Sequence, residues 1–274
     1  MPMKEGVTQS NPEIHFWASG TVGEPVLLVM GFGMRGEIWR PQIDGLSKQH
    51  RVAWFDHRGI GQSAVGDNPV WSMKTMAKDA MHVLNELGWD KCHLVGVSMG
   101  GMIAQEMALE HGHRFKSLSL LVTHPGGGLT SKWPGRVGFQ SFLRAFLSRG
   151  RSRIAALEKL LYPDEFLRTT DRKELHRRMH LRLSRPARKA TLLAQLAAVV
   201  RHDTRHRLQH LTVPTLILKA SLDILVPPKC SDQLKSLIPK ATMFELVDAG
   251  HGLIFQKADV VNDLLSAHFE RYCH

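Results

Sequence analysis

The stretch "KCHLVGVSMGGMIAQEMALEHG", Lys91–Gly112, decides how this chain folds. Its opening part, Cys92–Val97, is short, apolar and β-branched, and reads as a buried strand. From Met99 on, Met102, Ile103, Met107, Ala108 and Leu109 recur like one side of a helix. The join is Gly96-Val97-Ser98-Met99-Gly100. A strand that turns at once into a helix forces the residue at the bend into a strained backbone. Glycines two residues to either side remove the Cβ clashes that would oppose it. The Ser98 hydroxyl then projects from the carboxyl edge of the sheet, where open α/β sheets bind ligands. Free N–H groups and the positive end of the following helix lie beside it. Taken alone, G-x-S-x-G arises by chance, and a serine cap between two packing glycines would explain it. A strand before and a helix after are the context a nucleophile requires.

The same rhythm extends outward. Ile14–Ser19, Pro25–Met30, Arg51–Asp56 and Ser117–Thr123 read as strands. Ser72–Leu87 reads as a helix with Met76, Ala80, Val83, Leu84 and Leu87 on one face. Strands alternating with helices at this spacing predict an α/β fold, a mostly parallel, doubly wound sheet covered on both faces. The pattern changes at "HPGGGLTSKWPG", His124–Gly135, a loop rich in glycine and proline. From Gly138 to about Arg207 the periodicity is helical, with no convincing strand. Pro214–Ala220 and Thr242–Asp248 restore the strands, and a helix on Val260, Val261, Leu264, Leu265 and Phe269 ends the chain. The expected organisation is a core of residues 1–124 and 208–274, with a helical cap, 125–207, inserted into it.

A serine hydroxyl needs a base, and the base needs an orienting carboxylate. In this topology the chain order is serine, acid, histidine. Asp223 follows the Pro214–Ala220 strand in "SLDILVPP", and His251 follows the next strand in "AGHG". Both fall on loops at the edge where Ser98 emerges. A turn residue and a surface imidazole are the plain alternatives; joint occurrence in the right order argues against both. Asp248 is a second acid candidate, expected at the strand's end facing solvent. For the oxyanion, the turn "GFGMRGEIW", Gly31–Trp39, offers the N–H of Phe32 to pair with that of Met99. A flexible turn would explain those glycines almost as well.

Composition narrows the partners. The chain has 274 residues, 43% hydrophobic and 22% charged, as in ordinary globular proteins. The net charge is +11, but residues 126–207 hold 19 of the 36 Lys/Arg and 6 of the 25 Asp/Glu. That segment therefore carries an excess of 13, and the rest of the chain is slightly acidic. Long basic helices usually face water, so solvated outer faces are expected; steering of an anionic substrate is the competing reading. No P-loop, zinc-finger spacing or aromatic-basic interleaving points to nucleic acid. Three cysteines at no metal-like spacing suggest neither a metal nor a disulfide framework. No segment is apolar and long enough for a signal peptide or a membrane span, so a cytoplasmic protein is expected. A small-molecule substrate and no cofactor are the corresponding expectations; a monomer and a homodimer both fit.

These residues resemble the α/β-hydrolase fold superfamily over nearly the whole chain. "MGFG" stands where members usually have H-G-x-G, and "DHRGIGQS", Asp56–Ser63, is similar to their D-x-R-G-x-G-x-S turn. "GVSMGG", "SLDILVP" and "AGHG" match the nucleophile, acid and base segments. The resemblance implies a Ser98–His251–Asp223 triad and a cap, inserted after the sixth strand, that shapes the pocket. Met30 departs from the pattern, replacing a histidine that supports the oxyanion turn. An M-G there, with "DHR" and Gly126–Gly128, is similar to methylesterases that tailor aromatic polyketides. The absence of a long "HGSGPG"-type loop disfavours carbon–carbon bond hydrolases, and a serine elbow disfavours epoxide hydrolases and dehalogenases. The implied activity is hydrolysis of a small apolar carboxylic ester. Lactonase, thioesterase, haloperoxidase or lyase chemistry on the same triad, or a receptor with little turnover, are the alternatives. Met30, His124, Trp133 and Phe139 are the candidate pocket residues. Phe139, Phe142 and Phe146 recur at helical spacing, so at least one is expected in the core.

Overall fold

The computed structural model describes residues 3–67, 70–127, 135–148, 150–171, 173–175, 177, 179 and 187–273. The eight strands are β1 (Met3–Val7), β2 (His15–Ser19), β3 (Pro25–Val29), β4 (Arg51–Phe55), β5 (Cys92–Val97), β6 (Phe115–Leu121), β7 (Thr215–Ala220) and β8 (Ala241–Leu246). They form one sheet in the order β1-β2-β4-β3-β5-β6-β7-β8. β2 pairs antiparallel with both β1 and β4, and every pairing from β4 onward is parallel.

Alternation along the strands builds two cores. In β3, Leu27 and Val29 face one side while Val26 and Leu28 face the other. The first side is covered by helices α2 (Met73–Glu86) and α3 (Met99–His111), through Met76, Ala80, Val83, Met102, Ile103 and Met107. The second is covered by α1 (Arg40–Leu46) and the C-terminal helix Ala258–Glu270, through Ile43, Leu46, Val261, Leu265 and Phe269. Ser72 caps α2 by accepting the Thr75 N–H at 3.1 Å. The result is the doubly wound sheet that the alternating pattern predicts.

β1 departs from the expectation. "MKEGV" has no apolar alternation, and the strand is exposed at the sheet's edge, held by pairing with β2. With β1 counted, the strand before the helical insertion is the sixth. Between β6 and β7 lie α4 (Arg136–Leu147), α5 (Gly150–Leu161), α6 (Asp164–Thr169) and α7 (Lys189–Arg201). Beyond β7 come α8 (Lys229–Leu237), α9 (Leu253–Gln256) and the C-terminal helix, α10. Among the described residues, no helix is long and apolar enough to cross a membrane.

Candidate active site

Ser98 sits between β5 and α3 with φ 54° and ψ −121°. This is a costly conformation for a residue with a side chain, and the surroundings hold it in place. The Ser98 N–H donates to the Leu121 carbonyl at 2.9 Å, and the Ser98 carbonyl accepts from Gly101 N–H and from the Thr123 hydroxyl. The flanking glycines answer to close contact. A Cβ on Gly96 would strike the Gly100 carbonyl oxygen, and one on Gly100 would strike the Val29 carbonyl oxygen. Only glycine lets strand and helix approach this closely.

The two loops after β7 and β8 bring acid and base together. His251 Nδ1 lies 2.7 Å from Asp223 Oδ2, and both side chains are buried. The Leu225 and Val226 N–H groups each donate to Asp223 Oδ1 at 2.8 Å. With both carboxylate oxygens acting as acceptors, Nδ1 of His251 donates to Asp223, and Nε2 is turned away from it. The Gly252 N–H ties the histidine loop to α5 by donating to the Leu161 carbonyl at 2.8 Å. Asp248 is exposed and makes no part of this pair.

Ser98 and His251 line one cavity of about 930 Å³ together with Met30, Phe32, Met99 and His124. Phe32 lies in a turn in which the Met34 N–H donates to the Gly31 carbonyl at 3.4 Å. Gly33 has φ 65°, the left-handed value such a turn asks of its third residue. Met99 is the first residue of α3, so its N–H has no intrahelical acceptor.

Two supports of this turn were not read from the sequence. His57 places Nε2 2.7 Å from the Met30 carbonyl, which can only accept, so Nε2 carries the proton. Burial pushes the His57 pKa down to about 4, so the ring is neutral. His57, from the "DHR" segment, thus holds the backbone at position 30. On the other side, the Gly33 N–H donates to Gln195 Oε1 of α7 at 2.8 Å. Asp56 adds a third link by accepting the Gly36 N–H at 2.7 Å. The departure at Met30 and the "DHRGIGQS" segment were signals for the first support; nothing local signalled Gln195.

The insertion helices supply most of the remaining wall. Phe139, Phe142 and Phe146 of α4 all face the cavity. Phe142 also packs partly against the core and meets Phe32 with ring centroids 5.8 Å apart. Leu157, Leu160 and Leu161 of α5 and Leu192, Leu196, Val199 and Val200 of α7 continue the apolar surface. His124 is buried, accepts the Gly126 N–H on Nδ1 at 3.0 Å, and is held neutral by burial, its pKa lowered to about 3. Trp133 lies outside the described residues. No cluster of potential metal ligands is found among the described residues.

Comparison with known proteins places the chain as a whole. RutD of Caulobacter vibrioides strain NA1000, named as a carbamate hydrolase, is 29% identical over 249 residues and 90% of each chain. RutD of Azorhizobium caulinodans, named likewise, is 32% identical over 248 residues, 89% of this chain and 90% of its own. A thermophilic esterase from Thermogutta terrifontis superposes with a TM-score of 0.82 over the full length of both chains, at 24% identity. Est816, described as an N-acyl homoserine lactone degrading enzyme, superposes with a TM-score of 0.79 over 96% of this chain and 99% of its own, at 25% identity. The family profile described as alpha/beta hydrolase fold matches residues 24–258, and the chain is a hydrolase of that family.

Proposed function

We propose that this protein cleaves a carboxylic ester of an apolar molecule through an acyl-enzyme. The observation that carries this reading is the placement, on one cavity wall, of a serine at a strained elbow and a histidine held by a buried carboxylate. Ser98 Oγ attacks the acyl carbon while His251 Nε2 takes its proton. Asp223 orients the ring and stabilises the imidazolium that forms. The N–H groups of Phe32 and Met99 receive the negative charge on the carbonyl oxygen. The protonated His251 passes its proton to the leaving alcohol oxygen. A water, deprotonated by His251, then attacks the acyl group and releases the acid and Ser98.

The cavity favours an ester over the carbamate in the relatives' name. Carbamate is a small polar anion, whereas this cavity is large and walled mostly by Phe, Leu, Met and Val. In the same reading, residues 125–207 act as the unit that selects the substrate. Lactones and thioesters would serve the same chemistry if their bodies fill the same space.

The test is turnover of p-nitrophenyl esters of increasing acyl length beside carbamate, for wild type and Ser98→Ala. We expect kcat/KM to rise with acyl length, and Ser98→Ala to lose about 10³-fold or more. Turnover of carbamate without any ester would overturn the substrate class. Undiminished ester turnover by Ser98→Ala would overturn the nucleophile.

A further inference from the structure

Arg153 of α5 lines the cavity, half-buried, with a buried Nε that meets no acceptor among the described residues. Leu157, Leu160 and Leu161 follow it on the same helix face and line the same cavity. A guanidinium donor buried among leucines without an acceptor is unfavourable. Most described basic side chains of the insertion avoid that cost: Arg144, Arg151, Lys159, Arg168 and Arg201, for example, are exposed. Arg136 and Lys229 are the other cationic side chains on the cavity wall, and both are exposed. Among the described lining residues there is no aspartate or glutamate. The wall therefore combines an extended apolar surface with positive charge alone.

A guanidinium offers its donors in a planar fork that matches the paired oxygens of a carboxylate or phosphate. We propose that Arg153 is the anion-binding group of this pocket and that the ligand is amphiphilic. Its apolar body lies against the phenylalanines of α4 and the leucines of α5, and its anionic oxygen group accepts from Arg153. This deepens the ester reading by naming the substrate class: an ester whose apolar body also carries a negative charge. It revises the expectation that the basic excess lies wholly on solvated faces.

Binding tests this without relying on turnover. The ligands are octanoate, octyl phosphate and 1-octanol, titrated calorimetrically into wild type, Arg153→Met and Arg153→Gln. We expect at least one anion to bind wild type about tenfold or more tightly than octanol. That ratio should fall to near one in both variants, with octanol affinity reporting that the pocket is still formed. Octanoate against octyl phosphate tells which anion the fork prefers. The ratio should persist at about 300 mM NaCl, because a half-buried pair is screened less than diffuse surface charge. Equal binding of anions and octanol by wild type would overturn the proposal. So would an anion preference that survives in Arg153→Met or that vanishes with salt in wild type. If wild type binds anions preferentially but turns over no ester, the ester reading fails and the anion site stands.

Discussion

The carboxyl edge of the sheet and the helices inserted between β6 and β7 use different means to present their groups to one cavity. At the sheet edge, backbone geometry does the positioning. Ser98 is fixed by its φ of 54° and by carbonyl contacts that exclude any side chain at Gly96 or Gly100. Asp223 and His251 sit at the ends of adjacent parallel strands, and both oxygens of the carboxylate are occupied. In the insertion, side chains do the work: three phenylalanines, a run of leucines and Arg153 face inward from helices whose outer surfaces are basic. The difference teaches where change is tolerated. A reaction that needs atoms held to a fraction of an ångström belongs on strand ends and a helix start. Selection by shape and charge can be re-cut by exchanging helix side chains. Among the described residues, hydrogen bonds from Gly33 to Gln195 and from Gly252 to Leu161 join the two regions.

The sharpest way to break this comparison is to ask whether the chemistry resides wholly at the sheet edge. His251→Ala should reduce ester turnover by about 10³-fold or more, and Asp223→Asn nearly as much. Asp248→Asn, at an exposed position, should leave kcat within about twofold. Steady-state kinetics with a p-nitrophenyl ester decides. Loss in Asp248→Asn with retention in Asp223→Asn would reverse the acid assignment.

A second contrast is in the response to acid. The sheet and its margins hold buried neutral histidines, whereas most of the insertion's described basic side chains are exposed. Burial lowers His57, His202 and His268 to about 4, and His93 and His124 to about 3. These groups protonate more readily in the unfolded chain, near its ordinary value of about 6.5. Their contribution to stability is therefore complete above that pH and is lost as pH falls through the folded values. Asp56, whose carboxyl burial raises, works in the opposite sense. The slope is up to about 1.4 kcal/mol per pH unit for each such histidine. Denaturant midpoints should drop clearly between pH 7 and about pH 5, and a flat midpoint would show that these rings take up protons while folded.

The smallest expected effect concerns the joint. Gln195 is fully buried, and its Oε1 accepts the Gly33 N–H. Gln195→Met keeps the volume and removes the acceptor. We expect kcat to fall about tenfold with KM nearly unchanged, as for a loss felt only in the transition state. Affinity for a trifluoromethyl ketone should weaken in parallel, while affinity for the carboxylic acid product should not. Unchanged kcat and ketone affinity would mean that the insertion shapes the pocket but does not position the oxyanion turn.

Much of the fold and of the candidate site was legible in the residues in order. The strand, elbow and helix of Cys92–His111 form one continuous stretch, so periodicity and two glycines suffice to read them. The meeting of Asp223 and His251 was legible because the parallel strands β5, β7 and β8 carry their carboxyl ends to the same edge. β1 was not, since "MKEGV" owes its strand to a neighbour's hydrogen bonds and not to a buried face of its own. The supports of the Gly31–Met34 turn were less legible: His57 and Met30 are 27 residues apart, with only the departure at Met30 and the "DHR" segment to hint at the pair, and Gly33 and Gln195 are 162 apart with no local pattern to mark them. For Arg153 the sequence determined only that a basic residue stands in a basic helical segment. Whether it meets water or a cavity is decided by how α5 is rotated against the rest of the molecule. That rotation follows from the packing of apolar faces far apart in the chain, so only the tertiary structure settles it.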